Sequence, residues 1–229
     1  MTEATLFLIV GLPGAGKTER AKSLAAEHAG LRLTPDEWML PLYGDPQPEG
    51  KRDVLEGRLI WLALDALRLR TNVVLDFGFW SRDERSALRW LARSVGAVSC
   101  TVYLPVDRPT QIERIRDRWL RTPHATFVIT EADVDRWRDQ FEPPDSAELG
   151  GEAIAGPPPT WSDWGAWAAS RWPSLTGTPP VGGSPDAEGE RSGAEELAQV
   201  VGRTGVVQAA EIPRVLDCPQ ERVVVVADR

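Results

Sequence analysis

The chain has 229 residues, of which 42% are hydrophobic, and its formal net charge is −8. This length and apolar content are sufficient for a packed core, but no segment approaches the roughly 20 apolar residues needed to span a bilayer. The acidic balance argues against a broad nucleic-acid interface. The only cysteines are Cys100 and Cys218, without metal-ligand spacing. We therefore expect a soluble, cytoplasmic protein that acts on a small molecule and has no membrane partner.

An apolar run, Leu6–Val10, predicts the first strand, and the next eight residues satisfy the pattern G-x-x-x-x-G-K-[ST]. This pattern is typical of a phosphate-binding loop, in which glycines let successive backbone N–H groups surround the β-phosphate of a nucleotide. We assign Lys17 to the β- and γ-phosphates and the Thr18 hydroxyl to Mg²⁺. The residues expected to contact the nucleotide are Gly11, Pro13, Gly14, Ala15, Gly16, Lys17 and Thr18.

Up to about residue 141, short apolar runs alternate with helical patterns, and this order predicts a parallel sheet covered by helices on both faces. The fold class is therefore α/β: a three-layer α/β/α P-loop NTPase, followed by a poorly ordered C-terminal extension. The predicted strands are 6–10, 31–33, 73–75 and 97–104, and the predicted helices begin near residues 18, 34, 51, 81, 107 and 130.

Capping residues predict several of the helix ends. Thr34 with Glu37, and Ser81 with Glu84, have the spacing of a capping box. Gly30 stands where a C-terminal glycine is expected after the first helix. The second helix thus begins beside the end of the second strand.

Two acidic residues follow predicted strands. In parallel sheets ligands bind at the carboxyl ends of the strands, so Asp36 and Asp76 are expected to face the phosphate-binding loop. Asp36 is the candidate catalytic base that accepts the proton of an acceptor hydroxyl, and Asp76 is the candidate group for Mg²⁺ or its waters. Their roles are exchangeable on sequence alone. The aromatic residues after Asp76, Phe77, Phe79 and Trp80, are either a wall of the acceptor pocket or ordinary core.

A basic helix over 107–119 offers arginines that could neutralise the charge developing during phosphoryl transfer. Arg114 and Arg118 are spaced to share one helix face. Arg121 begins a polar stretch, 122–126, that we expect to form a mobile lid. We assign Arg114 to the nucleotide and Arg118 and Arg121 to catalysis, although a solvated basic face would have the same pattern.

The character of the chain changes after Phe141, where Pro and Gly become frequent. We predict a P-loop kinase domain over 1–149, a Pro/Gly/Trp-rich disordered linker over 150–194 and a short tail over 195–229. The linker contains Trp161, Trp164, Trp167 and Trp172. Their spacing is compatible with a short docking helix or with a loose aromatic patch on the core.

The core resembles the small P-loop kinases grouped with chloramphenicol phosphotransferase, zeta toxin and polynucleotide kinase, often described only as AAA-family ATP-binding proteins. The resemblance covers about residues 4–149 and implies an adenylate-kinase-like sheet, ATP with Mg²⁺, and transfer to a hydroxyl. It places the base at Asp36, phosphate contacts at Lys17 and the lid arginines, and metal contact at Thr18. The stretches that carry it are 11–18, 35–39, 74–82, 103–104 and 141–145.

The expected function is therefore an ATP-dependent phosphotransferase that moves the γ-phosphoryl group to a hydroxyl of a small molecule. Two alternatives remain open on sequence alone. One is a kinase for nucleic-acid 5′-hydroxyl ends, which would need a basic channel. The other is a non-catalytic, nucleotide-dependent switch whose Trp-rich tail binds a partner.

Overall fold

The computed structural model describes residues 3–46, 48–121 and 129–176, together with the backbone of 224–225. Its centre is a parallel sheet with the strand order β2-β3-β1-β4-β5. The predicted strands are confirmed, with β3 extending to Gly78. The strands are β1 Thr5–Val10, β2 Leu31–Leu33, β3 Val73–Gly78, β4 Val98–Tyr103 and β5 Val224–Val225.

Helices cover both faces of the sheet because each strand alternates its side chains between them. Leu6 and Leu8 of β1 pack into one apolar cluster, whereas Phe7 and Ile9 pack into the other. This arrangement confirms the predicted three-layer α/β/α architecture. The helices are α1 Lys17–Glu27, α2 Asp36–Tyr43, α3 Arg52–Arg68, α4 Arg82–Ser94, α5 Arg108–Arg121, α6 Glu131–Gln140, α7 Ser146–Leu149 and α8 Trp164–Arg171.

Helix capping follows the prediction at α4 but not at α1 and α2. The Ser81–Glu84 capping box is present at the start of α4. The residue before α2 is Pro35, which makes no side-chain cap, and Glu37 pairs with a strand arginine instead. After α1 the left-handed position is held by Ala29, with φ of +47°, rather than by Gly30.

The segment after residue 150 corrects the predicted linker. Residues 164–175, here called the C-terminal strap, form α8 and the turn after it, and Trp164, Trp172 and Leu175 are buried in the main core cluster. A high Pro and Gly content predicts weak burial on average, but each Trp can bury a large apolar area in one place. The docking-helix interpretation is therefore correct for the strap. Residues 150–163 precede the strap without forming a helix or strand, and of the residues after 176 only β5 is among those described.

Within the described part of the chain, the structure contains no helix whose length and apolar character would allow it to cross a bilayer.

Candidate functional site

The phosphate-binding loop joins β1 to α1 and has the backbone conformation that its glycines predict. Gly14 and Gly16 both have φ of +86°, and Gly16 is the residue that precedes α1. This left-handed conformation strains residues with a Cβ. At Gly11 a Cβ would lie only 2.8 Å from the carbonyl oxygen of Leu104. The loop is thus packed closely against the end of β4, with the α1 N-terminus directed to the same place.

Lys17 interacts electrostatically with other charged residues of the site. Its Nζ donates to the carbonyl oxygen of Leu12 at 3.0 Å. Burial lowers the pKa of Lys17 to about 8, although the nearby carboxylates of Asp76 and Asp36 act in the opposite direction. Positive charges on Arg118 and Arg52 also disfavour the ammonium form. The structure therefore brings both predicted acids and one predicted arginine together around the loop lysine.

Asp36 is in the first turn of α2, directly after the short loop that leaves β2. Its side chain is 69% exposed, and its Oδ1 accepts a hydrogen bond of 2.9 Å from the guanidinium of Arg52. Arg52 also donates through Nε to Glu56 Oε1 at 3.0 Å. An exposed carboxylate with a fixed cationic partner is accessible to a substrate and already oriented.

Asp76 has a different environment in β3, two residues before that strand ends. Its side chain is only 3% exposed, and its Oδ2 accepts a hydrogen bond of 3.0 Å from Arg32 of β2. The second nitrogen of that guanidinium donates to Glu37 at 2.7 Å. Burial raises the pKa of Asp76, while Arg32 and Lys17 counteract that shift. Asp76 is therefore a buried, paired carboxylate rather than an exposed base.

The residues present fit the Mg²⁺ that a phosphate-binding loop uses. Mg²⁺ at nucleotide sites is held mainly by phosphate oxygens and water, with only one or two protein ligands. Thr18 offers a hydroxyl in the first turn of α1, and Asp76 offers a carboxylate next to Lys17. Among the described residues no group of three or more His, Cys, Asp and Glu could hold a metal without such phosphates.

The arginines of α5 lie at different distances from the loop. Arg114 donates to the carbonyl oxygen of Gly14 at 3.3 Å, and Arg118 lies within electrostatic reach of Lys17. The side chain of Arg121 is 80% exposed and pairs with Asp117 at 3.7 Å. These three arginines and Asp117 line a shallow cavity of about 280 Å³. The expected lid over 122–126 lies outside the described residues.

The aromatic residues after Asp76 are mainly part of the core. Phe77 and Phe79 stack with their ring centroids 5.2 Å apart, and both belong to the main apolar cluster. Trp80 is half-buried and meets Trp137 edge to face at 6.1 Å. Trp80 thus extends towards α6.

Sequence reasoning missed the two arginines that hold the acids. Arg32 had a usable signal, because a charged residue inside a short strand needs a buried partner of opposite charge. Arg52 had no such sequence signal, because its contact with Asp36 depends on how α2 and α3 are arranged.

Comparison with known proteins identifies the group to which the chain is related. The family model described as the AAA domain matches residues 6–144. The chain belongs to this AAA domain family. The matched region contains the phosphate-binding loop, both acids and α5, so the predicted resemblance to AAA-family proteins is confirmed.

Two solved structures share the fold of this AAA domain protein. A candidate kinase from Chloroflexus aurantiacus J-10-fl has a TM-score of 0.52 and 17% identity, with coverage of 74% of this chain and 97% of that chain. A chain of the Pnkp1/Rnl/Hen1 RNA repair complex has a TM-score of 0.51 and 19% identity, with coverage of 61% and 44%. The present chain thus spans less than half of that repair protein. No curated protein sequence matches it significantly.

Proposed function

We propose that the chain is a P-loop kinase that transfers the γ-phosphoryl group of ATP to a hydroxyl of a small molecule. The observation that carries this proposal is the arrangement around Lys17. An exposed carboxylate, Asp36, and a buried carboxylate, Asp76, lie within electrostatic reach of the loop lysine, together with Arg118 of α5. A nucleotide switch needs the loop and a metal site, but it does not need an accessible second carboxylate held by its own arginine.

The exposed acid is the better general base. Asp36 is open to solvent and fixed by Arg52, whereas Asp76 is buried and paired with Arg32. In the transfer, the acceptor oxygen bonds to the γ-phosphorus while the bond from that phosphorus to the bridging oxygen breaks and ADP leaves. The acceptor proton passes to the Asp36 carboxylate.

The cations of the site support the same reaction. Lys17 and Arg118 are placed to neutralise charge that spreads over the transferred group. When bound, Mg²⁺ would supply further neutralisation, with Thr18 and Asp76 as its protein ligands. Arg114 is held against the loop by its bond to Gly14, which supports its assignment to the nucleotide. For Arg121 the high exposure supports only a role that begins when substrate is present.

The acceptor class is supported by charge. Each guanidinium beside the two acids, Arg32 and Arg52, is bonded to two carboxylates. Such pairing leaves little net positive charge for a polyanionic chain, and it agrees with the acidic net charge of the protein. A nucleic-acid 5′ end is therefore the second candidate, favoured only by the fold shared with a chain of an RNA repair complex.

The test is transfer of label from [γ-³²P]ATP to a mixed metabolite extract and, separately, to a 5′-hydroxyl oligonucleotide. We expect wild-type protein to label an organic compound in the extract, and Asp36→Asn to lower that labelling by at least about 100-fold, as for loss of a general base. The matched control is Asp65→Asn, which removes another carboxylate paired with an arginine on α3, at 2.6 Å from Arg68.

The control should label at the wild-type rate. Labelling of the oligonucleotide alone would replace the small-molecule acceptor with a nucleic acid. Release of inorganic phosphate only, with no labelled acceptor, would favour the switch. Undiminished labelling by Asp36→Asn would show that the base is misassigned.

A further inference from the structure

The C-terminal strap is connected to Asp36 through a continuous series of polar contacts. The indole Nε1 of Trp172 donates to Glu56 Oε2 at 3.2 Å. Glu56 Oε1 accepts from Arg52 Nε at 3.0 Å, and Arg52 Nη1 donates to Asp36 Oδ1 at 2.9 Å. Trp172 and Glu56 are both buried. The strap thus reaches the candidate base through one carboxylate and one guanidinium.

The strap also contacts the first two turns of α3, the helix that carries Arg52. Arg171 pairs with Asp53 of α3 at 2.6 Å and with Glu84 of α4 at 2.9 Å. The Ser174 hydroxyl donates to the carbonyl oxygen of Val54. This segment therefore ties α3 to α4 at the end of α3 that is nearest to the site.

The packing between strap and helix is too close for most side chains. Gly57 lies on the face of α3 that meets the strap, where a Cβ would be 2.5 Å from Ser174 Oγ and 2.9 Å from the backbone nitrogen of Leu175. The carbonyl oxygen of Ser174 also accepts from Arg58. Backbone-to-backbone proximity of this kind leaves little freedom for α3 to shift relative to the strap.

We propose that the C-terminal strap is a positioning element for phosphoryl transfer: through Trp172 and Glu56 it fixes the guanidinium of Arg52, which in turn orients the Asp36 carboxylate. This inference rests on the proposed function of Asp36. It gives residues 171–175, the part of the strap that contacts α3, a role in the acceptor half of the reaction and none in nucleotide binding.

The physical basis is the geometry of the guanidinium. Its planar fork can hold two carboxylates only when both are in fixed places. Glu56 has such a place because Trp172 bonds its second oxygen inside the core and Arg171, the preceding residue of the strap, lies 3.9 Å from the same oxygen. When the indole bond is removed, only the longer contact with Arg171 holds that oxygen. Glu56 is then a less fixed partner for Arg52, and the bond of Arg52 to Asp36 becomes one of several alternatives. A displacement of about 1 Å at a reacting group can lower turnover by up to about 100-fold.

The test compares two substitutions that remove the same group from the same segment. Trp172→Phe removes the indole N–H that bonds Glu56. Trp164→Phe removes the indole N–H that bonds the carbonyl oxygen of Ala155 at 2.9 Å, also from a buried Trp. Both substitutions remove the same side-chain volume, but only Trp172→Phe interrupts the series of contacts that reaches Asp36.

Three readouts on the full-length chain separate positioning from general stability. We expect Trp172→Phe to lower kcat/KM for the acceptor by about tenfold and to leave the dissociation constant of ATP within about twofold of wild type. Amide hydrogen exchange should become faster over residues 52–58 in this variant. Trp164→Phe should leave kcat/KM, the dissociation constant and the exchange over 52–58 at their wild-type values.

A second variant keeps the strap in place. Glu56→Gln retains an oxygen that can accept from Trp172 but removes the negative charge opposite Arg52. We expect wild-type exchange protection over 52–58 together with a loss of acceptor turnover, a combination that destabilisation alone would not produce. Unchanged turnover in Glu56→Gln, or equal losses in the two tryptophan variants, would overturn the inference.

Failure of the proposed function would give a different set of results from failure of the positioning role. A wild-type protein that phosphorylates no acceptor would remove the catalytic role of Asp36, and the positioning role with it. The exchange comparison between Trp172→Phe and Trp164→Phe would still decide whether the strap holds α3.

Discussion

The depressed pKa of Lys17 makes the affinity for ATP depend on pH in a calculable way. The ammonium form binds phosphate, so bound ATP raises the pKa of Lys17 and the free protein must gain a proton wherever Lys17 is neutral. Burial lowers the pKa of Lys17 in the free protein to about 8. The affinity should therefore be constant below about pH 7 and should fall as the pH rises through 8.

The magnitude follows from the fraction of charged lysine. One unit above its pKa only about a tenth of the lysine is protonated, so the dissociation constant at pH 9 should be about tenfold larger than its low-pH value. A lysine with its usual pKa of 10.5 would produce almost no change over that range. The difference is large enough to be resolved.

Equilibrium dialysis with labelled ATP and excess Mg²⁺ between pH 6.5 and 9.5 measures this dependence. Lys17→Arg is the control, because a guanidinium stays charged over the whole range. Its affinity can be weaker overall, but its pH profile should be flat. A flat profile for wild type, or the same slope in both proteins, would refute the idea that burial in the loop lowers the pKa of Lys17.

Three further substitutions test the packing and electrostatics around the site by urea unfolding of the ATP-free protein. Lys17→Met should raise the free energy of unfolding by about 1–3 kcal/mol. The buried ammonium costs its full free energy below about pH 8, and this cost is relieved only as the pH rises from 8 to 10.5. Equal or lower stability of Lys17→Met at neutral pH would contradict this. Arg32→Met should destabilise the ATP-free protein by about 3 kcal/mol, because it leaves Asp76 buried without its partner, and a loss below 1 kcal/mol would argue that the pair is hydrated. Gly57→Ala should destabilise it by about 1–3 kcal/mol, since the new methyl group would meet Ser174, whereas the stabilisation usual for Ala in an exposed helix would show that the strap is not held against α3.

Local sequence patterns predict the parts of the site that are made by one continuous stretch of chain. The loop between β1 and α1 forms from eight consecutive residues whose glycines determine the backbone conformation, so the motif predicts its structure. Asp36 and Asp76 are placed correctly for a related reason. Asp36 follows β2 and Asp76 lies near the carboxyl end of β3, and the carboxyl ends of parallel strands meet at one edge of the sheet.

Contacts between segments that are distant in the sequence cannot be predicted from local patterns. The pairing of Asp36 with Arg52 joins residues 16 positions apart across a turn without a motif. The linker that contains the strap is predicted to be disordered because Pro and Gly are frequent in it, although its tryptophans are also compatible with a docking helix. Composition averages over a window and cannot show that Trp172 reaches Glu56, 116 positions earlier in the chain.

Competition between polar partners explains the smaller differences. Thr34 and Glu37 have the spacing of a capping box, but Glu37 bonds the strand residue Arg32 instead. A carboxylate bonds more strongly to a guanidinium, which carries a full positive charge, than to an uncharged backbone N–H. Capping patterns therefore predict a helix start best where no unpaired charge is near.

Nucleotide binding by the loop is tested by a calorimetric titration of Mg²⁺·ATP into the full-length protein and into Lys17→Ala, with circular dichroism to confirm that both are folded. We expect one ATP site per wild-type chain and loss of measurable binding in Lys17→Ala. Absence of binding to the wild type, or equal affinity in the two proteins, would contradict this expectation.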